Sequence, residues 1–214
     1  MSGENRRSLK KIQTVYEKKC RTVSDINRLL PALKDYSEGC GHITELGVRE
    51  VTSTWAFLAA GPDRLVCYDI IYHPNIEEAK QAASEAGIDF EFRKADVLDS
   101  AIEETDLLFC DTFHHYYQLL SELRLHSGRV GKYIIMHDTT TYGRKNEVLA
   151  EDCVETFRKM GKDMTGYETQ EKSGLMRAIR DFLRENRHWK KEKRIFKNNG
   201  LTVLSRSRNI PRCR

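Results

Sequence analysis

Short apolar segments alternate with helical segments between residues 43 and 136, and this alternation constrains the fold more than any other feature of the sequence. Five segments have the length and composition of buried strands: 43–46, 65–68, 90–92, 107–110 and 133–136. Three segments between them have helical character: 52–60, 76–86 and 117–125. The pattern predicts an α/β fold in which helices cover both faces of a mostly parallel sheet.

The two ends of the chain extend this pattern. Residues 6–20 and 24–36 predict two helices, so we assign residues 1–38 to an N-terminal helical extension and residues 39–214 to the main domain. Residues 175–186 predict an amphipathic helix. Residues 192–205 predict two strands around Asn198-Asn199-Gly200, because Asn-Gly is a strong hairpin signal.

Composition points to a cytoplasmic protein with no membrane segment. No apolar stretch approaches the ~20 residues of a membrane-spanning helix, and the polar N-terminus has no hydrophobic core of a secretory signal. The six cysteines are scattered without a Cys-x-x-Cys pair, so we expect reduced thiols and neither a disulfide framework nor a zinc site.

Charge is distributed unevenly along the chain. Residues 1–21 contain seven Lys or Arg against two acids, residues 172–214 contain fourteen against three, and residues 22–171 are acidic. The basic ends can meet nucleic acid, an anionic glycan or a membrane surface. Alternatively, they are solvated helix faces that pack against the acidic middle, in the same chain or in a second subunit of a homo-oligomer. We favour this alternative over nucleic acid, because aromatic residues are not interleaved with the basic ones.

Two of the predicted strands end in a carboxylate with a histidine close by. Asp111 follows the 107–110 segment and precedes His114, and Asp138 follows His137 at the end of the 133–136 segment. Open α/β sheets bind ligands beyond the carboxyl ends of their strands. Neighbouring strands lie roughly 4.8 Å apart, so Asp111 and Asp138 can share one cation if these strands pair.

The other strand ends are also polar. Gly47 permits close approach of the backbone to a ligand, and the hydroxyls of Thr52 and Ser53 follow near a helix N-terminus. Asp69 lies where an acid accepts both hydroxyls of a ribose, and Asp96 can accept from an exocyclic amine. The alternative for these acids is that they cap the helices that follow.

Five motifs carry a resemblance to a known family: Glu45-Leu-Gly-Val, Asp69 after Leu65-Val-Cys-Tyr, Asp111-x-x-His114-x-Tyr116, Tyr133-Ile-Ile-Met-His-Asp138-Thr, and Asn199-Gly-Leu-Thr-Val-Leu204. Over roughly residues 40–206 the chain resembles class I S-adenosylmethionine-dependent methyltransferases, in the branch of cephalosporin-hydroxylase-like proteins and macrocin-type sugar O-methyltransferases. The resemblance implies the Rossmann-like methyltransferase fold, with a parallel core closed by an antiparallel C-terminal hairpin.

The resemblance also implies an activity and a site. We expect O-methylation of a small molecule or glycan, a sugar-containing or other small hydroxylated acceptor, with S-adenosyl-L-methionine as cofactor and Mg²⁺ or another divalent cation as a helper. Asp111 and Asp138 are the implied metal ligands, with His137 as a further ligand or a core histidine, and His114 is the implied base beside Asp111. The implied cofactor-binding residues are Glu45, Gly47, Thr52, Ser53, Asp69, Asp96 and Asp111.

Two departures from the family pattern leave alternatives open. Val51 stands where the family usually has a second glycine, and His137 stands where it often has an acid. A non-catalytic binding module that kept the fold is one alternative, and these two residues would mark its lost activity. Another is an RNA or protein methyltransferase that uses the basic C-terminal segment to hold its substrate.

Overall fold

A seven-stranded sheet forms the centre of the protein. The computed structural model describes residues 3–148, 155, 158, 161, 163–168 and 172–207, with side chains from residue 8 onward. The strands are β1 (His42–Leu46), β2 (Arg64–Asp69), β3 (Asp89–Lys94), β4 (Thr105–Cys110), β5 (Val130–Met136), β6 (Trp189–Ile195) and β7 (Leu201–Arg206). The helices are α1 (Gly3–Arg21), α2 (Leu30–Ser37), α3 (Thr54–Ala60), α4 (Asn75–Ala86), α5 (Tyr116–His126), α6 (Thr165–Glu168) and α7 (Leu175–Glu185).

The strands lie in the order β3-β2-β1-β4-β5-β7-β6. Strands β1 to β5 run parallel, and β7 lies antiparallel between β5 and β6. The turn between β6 and β7 contains Asn198, Asn199 and Gly200, all with positive φ, as the Asn-Gly pattern predicted. The predicted fold class is confirmed: a mostly parallel sheet with an antiparallel C-terminal hairpin and helices on both faces.

The central strands are buried on both faces. Successive side chains of a strand point in opposite directions, so Leu107 and Phe109 of β4 enter one core while Leu108 and Cys110 enter the other. The first core includes side chains of α1 to α4, and the second includes those of α5 and α7. This explains why the segments 65–68, 107–110 and 133–136 are continuously apolar and do not alternate with polar residues.

The predicted N-terminal extension supplies part of one helical layer. Helix α1 packs against α3 and α4, and its Ile12 is buried in their core. The second helix begins at Leu30, so the predicted start at residue 24 is wrong. The Ser24 hydroxyl accepts the Asn27 N–H (3.0 Å) and forms a separate turn. Pro31 then lies in the first helical turn, where its missing N–H costs nothing.

Four cysteines, Cys20, Cys40, Cys67 and Cys110, are free thiols, as their spacing predicted. Cys153 and Cys213 lie outside the described residues. None of the helices that the structure describes is long and apolar enough to span a bilayer.

Candidate active site

Three strands end together at the carboxyl edge of the sheet. Leu46 of β1 pairs with Cys110 of β4, and Cys110 pairs with Met136 of β5. The residues that follow the last two strands, Asp111 and His137, therefore leave the sheet side by side. The strand order reverses between β1 and β4, which is where open α/β sheets bind ligands.

Gly47 allows the loops after β1 and β4 to touch. Its φ is +84°, in the left-handed region that favours glycine. A Cβ at this position would lie 2.1 Å from the carbonyl oxygen of Asp111, closer than any side-chain carbon can approach. The close contact that Gly47 allows thus sets the position of the Asp111 backbone.

Asp111, His114 and Asp138 form a compact cluster, in which one ligand atom from each lies within 4.8 Å of the others. Nε2 of His114 is 3.3 Å from Oδ1 of Asp111 and 3.0 Å from Oδ2 of Asp138. Asp138 is only 3 % exposed and has a positive φ of 56°. Its buried Oδ1 has no hydrogen-bond partner among the described residues. The sequence prediction that the two acids lie together therefore agrees with the structure.

His114 of the cluster and the neighbouring His137 are each oriented by an acceptor on the ring nitrogen that faces away from the two aspartates. Nδ1 of His114 lies 2.8 Å from a carboxylate oxygen of Glu147, and Nε2 of His137 lies 3.1 Å from the Asn198 carbonyl oxygen. A carbonyl or carboxylate oxygen accepts only, so these ring nitrogens donate. The opposite nitrogen of each ring then faces the carboxylates. Histidines that bind metals usually have such an acceptor behind them.

His137 touches the same two acids. Its Nδ1 is 3.2 Å from Oδ1 of Asp111 and 3.1 Å from Oδ2 of Asp138. His137 therefore contacts both acids of the cluster, and its side chain is only 1 % exposed. Sequence analysis missed Glu147, which lies in no readable motif, and assigned Asn198 only to a hairpin turn.

The surrounding carboxylates favour the protonated form of both imidazoles. Burial is the largest influence and lowers the pKa of His114, but Asp111, Asp138 and Glu147 outweigh it and raise that pKa to about 12. Asp111 and Asp138 likewise raise the pKa of His137 to about 10 against burial. The imidazoles in turn hold the pKa of both aspartates below the ordinary value, although burial alone would raise it.

This arrangement bears on His114 as the predicted base. Both ring nitrogens of His114 face carboxylates, which favour its protonated form, so Nε2 must lose its proton before it can act as a base or as a metal ligand. Nε2 lies where a cation held by Asp111 and Asp138 would meet it, and the charge of such a cation would favour that loss. The role of His114 as the base stays a prediction.

A cleft of about 330 Å³ opens beside the cluster and includes two of its residues, Asp111 and His114. Ligand pockets usually measure ~300–1,000 Å³, so the cleft is large enough for a small molecule. Four of the residues predicted to bind a cofactor line it: Gly47, Asp69, Asp96 and Asp111.

Asp69 lines this cleft but already accepts three backbone hydrogen bonds. Its Oδ2 accepts the N–H groups of Val48 (2.8 Å) and Arg49 (3.0 Å), and its Oδ1 accepts that of Ile71 (2.9 Å). A carboxylate has about four acceptor positions, so one remains. The predicted grip on both ribose hydroxyls would require the loop after β1 to release one N–H.

The other predicted cofactor residues lie outside the cleft. Glu45 is fully buried. It accepts hydrogen bonds from Ser53 and Thr54 (2.7 Å), which tie β1 to the start of α3, and from Cys67 of β2 (3.2 Å). Burial raises the pKa of Glu45 to about 7, although these hydrogen bonds lower it. Thr52 lines a neighbouring cavity of about 300 Å³. A strand-end motif does not reveal to which side its side chains point.

Val51 keeps the backbone conformation of a glycine. Its φ is +65° and its side chain is fully buried. A β-branched residue at positive φ is rare and strained. Val51 thus forms a turn that a glycine would form without strain, and its side chain adds to the core.

Comparisons with known proteins agree with the architecture. No family model and no curated protein matches the sequence. Among solved structures, the chain is similar to the SAH-bound Podospora anserina methyltransferase PaMTH1 (14 % identity, 97 % of this chain and 89 % of that chain, TM-score 0.51). It is also similar to the O-methyltransferase from Bacillus cereus in complex with SAH (14 %, 94 % and 91 %, 0.50).

A third similar structure is the ribosomal protein L11 methylase from Lactobacillus delbrueckii subsp. bulgaricus, with 14 % identity, 87 % of this chain and 80 % of that chain covered, and a TM-score of 0.55. These names include enzymes with different acceptors. At such low identity the likeness establishes the fold alone, and this fold is the Rossmann-like methyltransferase fold.

Proposed function

We propose that the protein is an S-adenosylmethionine-dependent methyltransferase that methylates a hydroxyl oxygen of a small, sugar-containing or similarly hydroxylated acceptor with the help of a divalent cation. The observation that carries this proposal is the cluster of Asp111, His114 and Asp138 at the mouth of the cleft. Similarity to SAH-bound methyltransferase structures supports the choice of cofactor.

The cleft offers fitting contacts for each part of this cofactor, which supplies an electrophilic methyl group on a sulfonium. Asp96 lies at the end of the cleft formed after β3, where its carboxylate can accept from an adenine amine. Asp69 retains one acceptor position for a ribose hydroxyl. Gly47 lets the backbone approach Asp111 closely, where the methionine end of the cofactor would lie.

The cluster has the donor set of a divalent-cation site. Two carboxylates and an imidazole converge, and the buried Oδ1 of Asp138 has no partner among the described residues. Imidazole is a softer ligand than a carboxylate, so we expect Mn²⁺ or Fe²⁺ to bind more tightly than Mg²⁺. A bound divalent cation lowers the pKa of a hydroxyl group that it touches and orients it.

The protein's own side chains would keep this geometry fixed. Glu147 and Asn198 hold the two imidazoles in place. The ring of Tyr142 stacks on His114, with centroids 4.8 Å apart and planes 2° from parallel, and covers one side of the site. Asp111 lines both the cleft and the cluster, so a hydroxyl near the cation would also lie near the methyl group.

Asp138→Asn tests the proposal, because it removes a charge with little change in shape. We expect Mn²⁺ affinity, measured by calorimetry, to fall by at least about tenfold, while affinity for S-adenosylhomocysteine (SAH) stays within about twofold. Methyl transfer to hydroxylated acceptors should require metal, and EDTA should abolish it. Asp35→Asn on the exposed side of α2 is the matched control and should change none of these quantities.

Three outcomes would contradict parts of the proposal. Activity that is indifferent to EDTA would remove the metal. Absence of SAH binding would favour the non-catalytic binding module. Methylation of RNA or protein in place of small acceptors would favour the alternative that uses the basic C-terminal segment.

A further inference from the structure

A second, strongly basic cavity lies between α7 and β6. It measures about 600 Å³ and is lined by residues of the loop after β5, of α7 with the segment before it, and of β6. Of the eleven described residues that line it, none is acidic and six are basic: Arg144, Lys172, Arg177, Arg180, Lys191 and Arg194.

Only one of these cations forms an ion pair among the described residues: Arg177, with Asp181 (3.1 Å). Arg194 donates to the carbonyl oxygen of Thr139 (2.9 Å), and its Nε is buried without a hydrogen-bond partner in the described part of the chain. Like charges gathered in a concave site raise the local concentration of anions. The positive charge of the cavity thus favours an anionic ligand.

The floor of the cavity is apolar. Ile179 is buried there, and Met176 and Leu183 are half-buried beside it. A compact molecule with an apolar body and anionic substituents matches this combination. Proteins that bind single-stranded nucleic acid usually stack bases on aromatic side chains, and no aromatic residue is among those that line this cavity. We therefore favour a small molecule over RNA.

The side chains, and not the start of α7, must hold the anion. The N–H groups of Leu175 and Met176 donate to the carbonyl oxygens of Tyr142 and Gly143, at 2.9 and 3.1 Å. The backbone donors that commonly bind anions at a helix N-terminus are thus already engaged.

The cavity is linked to the Asp111–His114–Asp138 cluster through one loop. Gly143 lines the cavity and follows Tyr142, whose ring stacks on His114. Arg194 reaches back to Thr139, the residue after Asp138. A molecule seated in the cavity is therefore next to the loop that forms the cluster.

We propose that this cavity binds a phosphate- or sulfate-bearing small molecule through Arg144, Arg180, Lys191 and Arg194. We assign this ligand as the anionic part of the methyl acceptor. The binding site stands on the cavity alone, whereas its assignment to the acceptor rests on the proposed function.

Calorimetry with inorganic pyrophosphate and with sulfate tests the site without any methyl transfer. The double variant Arg180→Gln, Lys191→Gln removes two exposed cations from the rim. Exposed ion pairs contribute up to about 1 kcal/mol each, so we expect the affinity for the better-bound anion to fall by about tenfold. The control Arg187→Gln, Lys190→Gln removes two exposed cations that do not line the cavity and should have less than about a twofold effect.

The outcomes separate this proposal from the methyltransferase proposal. SAH affinity should be the same in both double variants. If neither the natural protein nor the variants bind SAH, the methyltransferase proposal is refuted and the proposed anion site is unaffected. Equal losses in the two double variants, or no binding of either anion at millimolar concentration, would refute the anion site. Far tighter, steeply salt-dependent binding of a single-stranded RNA would also overturn it and assign the surface to nucleic acid.

Discussion

Replacing Gly47 with alanine should destabilise the protein and displace Asp111. The φ of +84° costs an alanine roughly 1–2 kcal/mol. The new Cβ would also lie 2.1 Å from the Asp111 carbonyl oxygen, a backbone atom that cannot rotate away. To separate them, the end of β4 must move, which strains the hydrogen bond from the Asp111 N–H to the Leu46 carbonyl (2.8 Å). Losing it would add about 1–3 kcal/mol, so we expect a total of roughly 2–5 kcal/mol.

Gly61→Ala separates the two contributions to this loss. Gly61 has a similar φ of +71°, but a Cβ there would meet no described atom within 4 Å, so only the backbone strain applies. Urea unfolding of both variants should therefore show a larger loss for Gly47→Ala, and calorimetry should show weakened SAH and Mn²⁺ binding in that variant alone. Equal losses of stability would refute the close contact as the reason for glycine. Normal binding by a destabilised Gly47→Ala would refute its role in placing Asp111.

Two further predictions concern carboxylates near the ends of β1 and β2. Burial raises the folded-state pKa of Glu45 to about 7 from an ordinary value of 4.5. This group therefore stabilises the fold most below about pH 4.5, and that contribution is lost as the pH rises through about 7. Glu45→Gln should gain in urea midpoint relative to the natural protein between pH 5 and pH 8, and parallel pH profiles would contradict this. Asp69→Asn should weaken SAH binding by roughly ten- to a hundredfold, because it disturbs the N–H groups of Val48, Arg49 and Ile71 that form the cleft. Amide exchange at these three residues should accelerate, and unchanged exchange with unchanged affinity would show that Asp69 does not hold the loop.

The fold could be predicted from the sequence because each of its signals is local. Most residues of β2, β4 and β5 are apolar because both faces of these strands are buried, and helices follow β1, β2 and β4. The hairpin turn requires positive φ, for which Asn and Gly are suited. The early start assigned to α2 shows the limit of this approach. Ile26 and Leu29 have helical spacing and are buried, yet they lie in a turn before the helix.

The site could be predicted only in part, because direction and distance are tertiary properties. Asp111 and Asp138 were found since neighbouring strand ends must meet. Glu45 also lies at a strand end, but its side chain points into the core and not into the cleft. Glu147 and Asn198 reach the histidines from segments far along the chain, and no spacing rule connects them.

Two unusual features meet at Asp138, and together they favour a ligand there. Asp138 has a positive φ and a buried Oδ1 without a partner among the described residues. Backbone strain clusters at functional sites, and a buried polar group without a partner calls for an explanation such as a bound ion. A cation between Asp111 and Asp138 would supply the missing partner, and Mn²⁺ should therefore raise the urea midpoint of the natural protein but not of Asp138→Asn. Equal stabilisation of both proteins would place the bound metal elsewhere.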